Sequence, residues 1–295
     1  MQKYLVLAFG VACVAFAAIF IRLADAPPLV IAAYRLGIAA VVLAPVAWWR
    51  ASRELLNLSG RQLLLAVASG AFLALHFGLW IASLDYTTVA SSVVLVTASP
   101  IFVAVASYLL WREKITARVA GGIAVSIVGA VVIGLGNWEA GAGSLLGAGL
   151  ALGGAMVVAG YLLIGWRLRQ SMGLLSYVFL TYLSAAVILL VVAFASGQRM
   201  GGYPGMTYLW FVLLALVPQL LGHSSLNWAL RFVPATMVTI AVLGEPVGAT
   251  ALAFFILKET PSWLEIGGGV LILAGIGWAF SAPTQSSAIK AQNHS

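Results

Sequence analysis

The chain has 295 residues, of which 63% are hydrophobic and only 8% charged, and it carries a formal net charge of +7. A soluble domain needs roughly a quarter charged residues to cover its surface, so this composition excludes a soluble globular domain and points to a chain solvated by lipid. The single cysteine, Cys13, excludes an intrachain disulfide framework and cysteine-pair metal ligation.

A membrane-spanning helix needs about 20 apolar residues to cross a hydrocarbon layer of roughly 30 Å. Ten such runs follow one another: Tyr4 to Ala24, Pro28 to Trp49, Gln62 to Leu84, Thr87 to Trp111, Thr116 to Gly136, Ser144 to Arg167, Met172 to Ser196, Met206 to Ala229, Pro234 to Leu257 and Ser262 to Ser281. The connections are short, and only 282–295 reads as a disordered cytoplasmic tail. The first run resembles a signal peptide, because Lys3 precedes it and Ala24-Asp25-Ala26 looks like a cleavage site. Removing it would leave the sixth run without a counterpart, so it is kept as a span.

That counterpart relation comes from an internal repeat. Residues 82–131 align without a gap on residues 228–277 at an offset of 146, matching Leu84 with Leu230, Val96 with Val242, Pro100 with Pro246, Glu113 with Glu259, Gly121-Gly122 with Gly267-Gly268, and Gly129 with Gly275. Two apolar units follow, over 1–140 and 141–281. Five spans per unit is an odd number, so the second copy must enter the membrane upside down. The expected fold is an all-α membrane protein of ten transmembrane helices in two five-helix inverted-topology repeats.

With both termini cytoplasmic, the inner side holds Lys3, Arg50, Arg53, Arg61, Arg112, Lys114, Arg118, Arg167, Arg169, Arg231 and Lys290, against Arg22, Arg199 and Lys258 outside; Arg35 is left within a span. This bias sets the orientation expected in a bacterial inner membrane. It also accounts for the positive charge without a nucleic-acid partner. Every tryptophan but Trp80 lies near a span end, as an interfacial aromatic belt requires.

Polar side chains are costly in lipid and tend to face the bundle interior or a wet cavity. On the third span His76, Trp80 and Ser83 share a face at i, i+4, i+7; on the eighth, Gln219, His223 and Asn227 do so at i, i+4, i+8. The repeat offset places His223 opposite Phe77, next to His76. These two stripes, with Tyr161 of the sixth span, are the candidate substrate-binding residues; plain helix-to-helix hydrogen bonding is the competing role. Glu245 is the only acidic residue deep in a span, roughly 17 Å from its start. It is a candidate amine or proton site, or else a structural hydrogen bond at the break made by Pro246. Arg35 could attract a substrate carboxylate or cap loose carbonyls. Pro100 and Pro246 occupy equivalent mid-span positions, lack an amide hydrogen, and are candidate hinges. Gly147, Ala151, Ala155 and Ala159 form a small stripe suited to close helix approach.

Other motifs fail. Gly141 to Gly147 has the wrong spacing for a dinucleotide fingerprint and no strand before it. Asn57-Leu-Ser59 matches a glycosylation sequon but falls in an expected cytoplasmic loop. No metal site or cofactor is expected from three histidines without clustered carboxylates. No catalytic residue is assigned; an intramembrane enzyme would need Ser83 or Ser225 beside a histidine.

The stretch LVTASPIFVAVASYLLWREKITARVAGGIAVSIVGAVVIG, from Leu95 to Gly134, resembles the half-repeat of the drug/metabolite transporter superfamily, EamA branch. Its partner from Asn227 to Trp278 is more similar still. Tyr34-Arg35 stands where many members carry an aromatic residue followed by arginine. Trp111-Arg112-Glu113 departs from the pattern, which more often has a small residue before the glutamate. Overall the chain looks most like the YddG-type bacterial amino acid exporters. The resemblance implies alternating-access export of small metabolites through a central cavity, with amino acids as substrates and the bilayer as surroundings, in a monomer or weak homo-oligomer. A multidrug or other small-metabolite exporter of the same superfamily is the alternative.

The topology is testable. In a Cys13→Ala background, Gly141→Cys should react with an impermeant thiol reagent added to the periplasmic side, and Gln170→Cys should not; reversed labelling would overturn the orientation.

Overall fold

In lipid every backbone N–H and C=O must be satisfied within the segment, so a chain this apolar can only form helices or a closed barrel. The computed structural model describes residues 1–112, 115–135, 142–258, 260 and 263–280. Among them the chain is helical throughout, with eight helices long and apolar enough to cross a membrane and two shorter apolar helices, Ala117–Val132 and Ile266–Ala279. These are the ten spans. The tail over 282–295, the repeat boundary at 140–141 and the Glu113 and Glu259 pair lie outside the described residues.

Several spans are not single helices. Span 1 comprises Gln2–Val14 and Ala17–Leu23, span 4 Val89–Val96 and Ser99–Trp111, and span 9 Ala235–Val242, Glu245–Leu252 and Ala253–Leu257. Span 8 runs as Gly205–Leu214, a π-helix over Ala215–His223, and Ser224–Ala229. The unbroken spans are Pro28–Leu56 (span 2), Gly60–Ser83 (span 3), Ala117–Leu135 (span 5), Ala142–Arg169 (span 6), Leu174–Ala195 (span 7) and Trp263–Phe280 (span 10). Span 2 outruns its expected end at Trp49 because Arg50 to Leu56 continue the helix beyond the apolar run. Trp48 and Trp49 are exposed there, with the Arg50 guanidinium over the Trp49 ring.

Local chemistry starts and stops the helices. Ser59 and Gln62 form a reciprocal capping box at the start of span 3, and the Thr88 hydroxyl caps span 4 by accepting from Ser91 N at 3.2 Å. Before Pro100 and Pro246 the regular helix is interrupted for two residues, Thr97-Ala98 and Leu243-Gly244, whose backbone stays close to helical, so each span is kinked there. Each helix restarts with its proline in the first turn, where the missing N–H has no intrahelical partner to lose. Spans 4 and 9 also end alike: Arg112 and Lys258, related by the repeat offset, both close their helices in the left-handed region, at φ 55° and 61°. Thus the unusual Arg112 keeps the repeat's turn despite its Cβ.

The packing shows the inverted symmetry directly. Spans 5 and 10 are equivalent helices that pack against each other, with Gly122 meeting Gly275 and Gly129 meeting Gly268. One sequence rises as the other falls, so the equivalent helices are antiparallel. Between those two contacts the Ser126 hydroxyl donates to Ile272 O at 3.3 Å, a bond between symmetry mates that marks the twofold axis. The other main contacts are exchanged in pairs: span 3 packs on spans 6 and 7 as span 8 packs on spans 1 and 2, and spans 4 and 9 each pack on the fifth helix of their own repeat and the first helix of the other. Spans 2 and 7 cross each other. The inverted repeat is therefore a property of the packing as well as of the sequence.

The crossing of spans 5 and 10 leaves no room for side chains. A Cβ at Gly129 would lie 2.5 Å from Gly268 O, and one at Gly122 2.6 Å from Gly275 O, whereas a Cβ at Gly37 would meet nothing within 4 Å. Gly129→Ala should therefore destabilise the bundle by about 1–3 kcal/mol, the usual cost of overpacking. Gly37→Ala should be neutral or stabilising. Thermal unfolding in detergent checks this, and equal midpoints for the two variants would overturn the axis packing.

Candidate functional site: a central cavity at the helix breaks

The interruptions converge on one place. A cavity is lined by Val14 and Ala17 beside the break in span 1, Val96, Thr97 and Ser99 at the break in span 4, and Thr239, Val242 and Glu245 at the break in span 9. Spans 2, 3, 6 and 8 complete it with Arg35, His76, Trp80, Val158, Tyr161, Leu162, His223 and Leu226. Its atom-free space, open mouth included, is about 550 Å³. Little of it is wide enough to seat a water, so the cavity is narrow in this conformation.

The cavity straddles the twofold axis. Val96 and Val242 are symmetry mates and both line it; so do Ser99 and Glu245, and Trp80 and Leu226. Across the axis His223 packs edge-on against Phe77, its own equivalent, with ring centroids 5.3 Å apart. Glu245 opens the half-helix Glu245–Leu252, where the helix dipole favours a carboxylate. Beside the breaks Thr97 Oγ1 donates to Val94 O and Thr239 Oγ1 to Thr236 O, both at 2.9 Å.

Each residue singled out in the sequence has a definite place. His76 and Trp80 line the cavity with rings stacked at 14° and centroids 6.1 Å apart. His76 Nδ1 lies 3.0 Å from Gly154 O. A carbonyl only accepts, so Nδ1 carries the proton and a neutral His76 keeps Nε2 as an acceptor. Ser83 is elsewhere: its Oγ donates to Trp80 O and pairs with Ser92 Oγ, both at 2.6 Å, tying span 3 to span 4. It is held by neither histidine.

The second stripe is split by the π-helix. The i→i+5 bonding over Ala215–His223 around Pro218 shifts Gln219 relative to His223, whereas Asn227 follows on a regular α-helix over Ser224–Ala229. His223 alone of the three borders the cavity. Gln219 Oε1 instead accepts from Arg35 Nε at 2.8 Å, and Asn227 Nδ2 donates to the Tyr161 hydroxyl at 2.5 Å. Gln219 and Asn227 thus form a ring behind the cavity wall that holds Arg35 and Tyr161. Arg35 is fully buried, with its guanidinium 4.0 Å over the Phe77 ring. It does not cap a carbonyl.

Sequence reasoning did not single out Thr97, Ser99 and Thr239. The small polar residues just before Pro100 were a usable signal for the first two, since they precede a helix restart. Nothing in the residues around Ala15 and Phe16 announces the break in span 1.

Both ends of the bundle are held by contacts from span 2, with the start of span 7 at one end and with the loop after span 7 at the other. At one end the Glu54 carboxylate accepts from Gly173 N at 2.7 Å and from the Ser176 hydroxyl, capping span 7. Beside it Arg169 donates to Asn227 O and Met172 O. At the other end Tyr34 OH donates to Met200 O at 2.5 Å, within a cluster of Tyr203, Tyr208 and Phe211.

The model of the EamA-like transporter family matches this chain twice, over residues 1–135 and 145–281. A protein of Bacillus subtilis (strain 168) described as "Uncharacterized transporter YdfC" is 25% identical over 186 residues, which span 63% of this chain and 60% of that protein. A solved structure described only as "Crystal structure of protein" superposes with a TM-score of 0.77 at 16% identity, over 94% of this chain and 96% of the other, a likeness of fold alone. A twice-matched family model, together with a cavity built where two inverted repeats break their helices, places this chain in the EamA-like transporter family.

Proposed function

We propose that this transporter exports small amphipathic metabolites from the cytoplasm, neutral and aromatic amino acids foremost, by alternating access through the central cavity. The lining carries the reading. Trp80, Tyr161 and the two histidines offer aromatic faces and neutral hydrogen-bonding groups, and the only full charges are one cation and one anion, Arg35 and Glu245. A sugar phosphate would call for clustered cations. An amino acid fits aromatic walls with a balanced pair of charges. The likeness to YddG-type amino acid exporters supports the same substrate class.

The end contacts supply the gates. Glu54 with the start of span 7 closes one side, and Tyr34 with the loop after span 7 closes the other; transport would release them in turn. Pro100 and Pro246, at restarts beside the cavity, would serve as the pivots. The distribution of basic residues supports a bacterial inner membrane with both termini in the cytoplasm. No cofactor is required.

Specificity should be broad, because an apolar wall separates substrates differing by one methylene by only about 1–3 kcal/mol. Counterflow in proteoliposomes against a panel of amino acids and amphiphilic drugs tests the reading. Trp80→Ala should weaken competition by phenylalanine about tenfold, as loss of one aromatic contact implies, and competition by alanine far less. Trp48→Ala, at the exposed belt, should change neither. If well-folded His76→Ala and Trp80→Ala proteins keep every apparent affinity, the cavity is not the substrate site.

A further inference from the structure

Arg35 is fixed on two sides and borders the cavity. Its Nε is bonded to Gln219 and its face rests on Phe77, yet neither Nη1 nor Nη2 has a hydrogen-bond partner among the described residues, although both are buried. A guanidinium held at Nε and stacked on a ring presents its remaining N–H groups in a fixed plane, the arrangement that binds a carboxylate through two parallel bonds. Leaving charged donors unpaired away from water is strongly unfavourable. The position therefore has the form of a carboxylate site.

The opposite charge borders the same cavity from the other repeat. Glu245 is 7% exposed, and its carboxylate makes no hydrogen bond among the described residues. The two groups thus share one cavity, and neither Nη atom of Arg35 pairs with Glu245. Their charges sum to zero. A ligand bearing one charge would pair with one of them and leave the other uncompensated in a low-dielectric interior, whereas a zwitterion satisfies both and leaves the sum unchanged.

We infer that Arg35 and Glu245 form a head-group clamp, in which the Nη pair of Arg35 takes the carboxylate and Glu245 the ammonium of one bound amino acid zwitterion. The clamp rests on the export of amino acids proposed above and specifies what all its substrates share. Broad tolerance of side chains and strict demand for both head-group charges follow together, because Val14, Val158, Leu162 and Leu226 offer only apolar wall to the remainder. The clamp has a single orientation. At the repeat offset Arg35 corresponds to Thr181 and Glu245 to Ser99, so each charge exists in one repeat only.

The test uses the full-length protein in nanodiscs for binding and in proteoliposomes for uptake, with L-phenylalanine, phenethylamine and 3-phenylpropionate as probes. The last two lack the carboxylate and the ammonium respectively. Wild type should bind phenylalanine at least about tenfold more tightly than either analogue, the worth of one charge-assisted hydrogen bond. Arg35→Gln should abolish the preference over phenethylamine, and Glu245→Gln the preference over 3-phenylpropionate. Arg35→Lys, which keeps the charge and loses the fork, should fall between wild type and Arg35→Gln. Each preference is a ratio within one protein preparation, so a reduced folded fraction cancels. Wild-type uptake of phenylalanine with both preferences surviving in the variants overturns the clamp and leaves the export reading standing. Equal wild-type affinity for all three probes also overturns it. Failure of the wild type to take up any amino acid overturns the export reading, and the clamp with it.

Discussion

The structure depends on one rule of the bilayer interior: backbone groups without water must find partners within the protein, so a helix can be interrupted only where other helices cover the gap. The breaks at Ala15 and Phe16, at Thr97 and Ala98, and at Leu243 and Gly244 obey it by meeting at one depth, each facing the others. Thr97 and Thr239 return hydroxyls to local carbonyls there, and prolines start the next helices where no amide is missed. The cavity is the shared volume of these interruptions. Two charged side chains, Arg35 and Glu245, border it, away from lipid that would leave them without partners.

Duplication supplies the frame, and divergence supplies the site. Along the axis at spans 5 and 10 the two copies are nearly interchangeable: glycine faces glycine in both directions, and a Cβ on either side would drive the helices apart. At the cavity the copies differ. Ser99 stands where the other repeat has Glu245, Leu226 mirrors Trp80, and His223 mirrors Phe77. A perfectly symmetric cavity could not carry one cation and one anion. The symmetry was kept in the scaffold and lost at the wall.

The two ends of the bundle show the same division. Spans 2 and 7 are equivalent and antiparallel, so each end joins the finish of one, or the loop after it, to the start of the other. One junction is a carboxylate on a helix N-terminus, Glu54 on span 7, and the other a tyrosine hydroxyl on a carbonyl within an aromatic cluster. Both are made in this structure, which agrees with the narrowness of the cavity between them. Each uses few bonds, and contacts of that kind break more readily than the packed glycine crossing.

The sequence by itself determined the spans, the repeat and hence the inverted topology, because apolar length and an offset between equivalent residues are local properties that lipid enforces without knowledge of neighbours. Pro100, Pro246 and Glu245, which the sequence placed mid-span, lie beside interruptions that border the cavity. The sequence could not determine which polar side chains reach that cavity. Uniform helical spacing put Ser83, Gln219 and Asn227 on the same faces as His76 and His223, but a π-helix around Pro218 shifted Gln219 from His223, Asn227 bonded Tyr161, and Ser83 closed on Ser92 at the end of its helix. Nor did any residue announce the break in span 1. Facing is decided by how an interrupted helix is rotated against its neighbours, and that rotation is set by contacts such as Gln219 with Arg35 and Asn227 with Tyr161, between residues far apart in the chain.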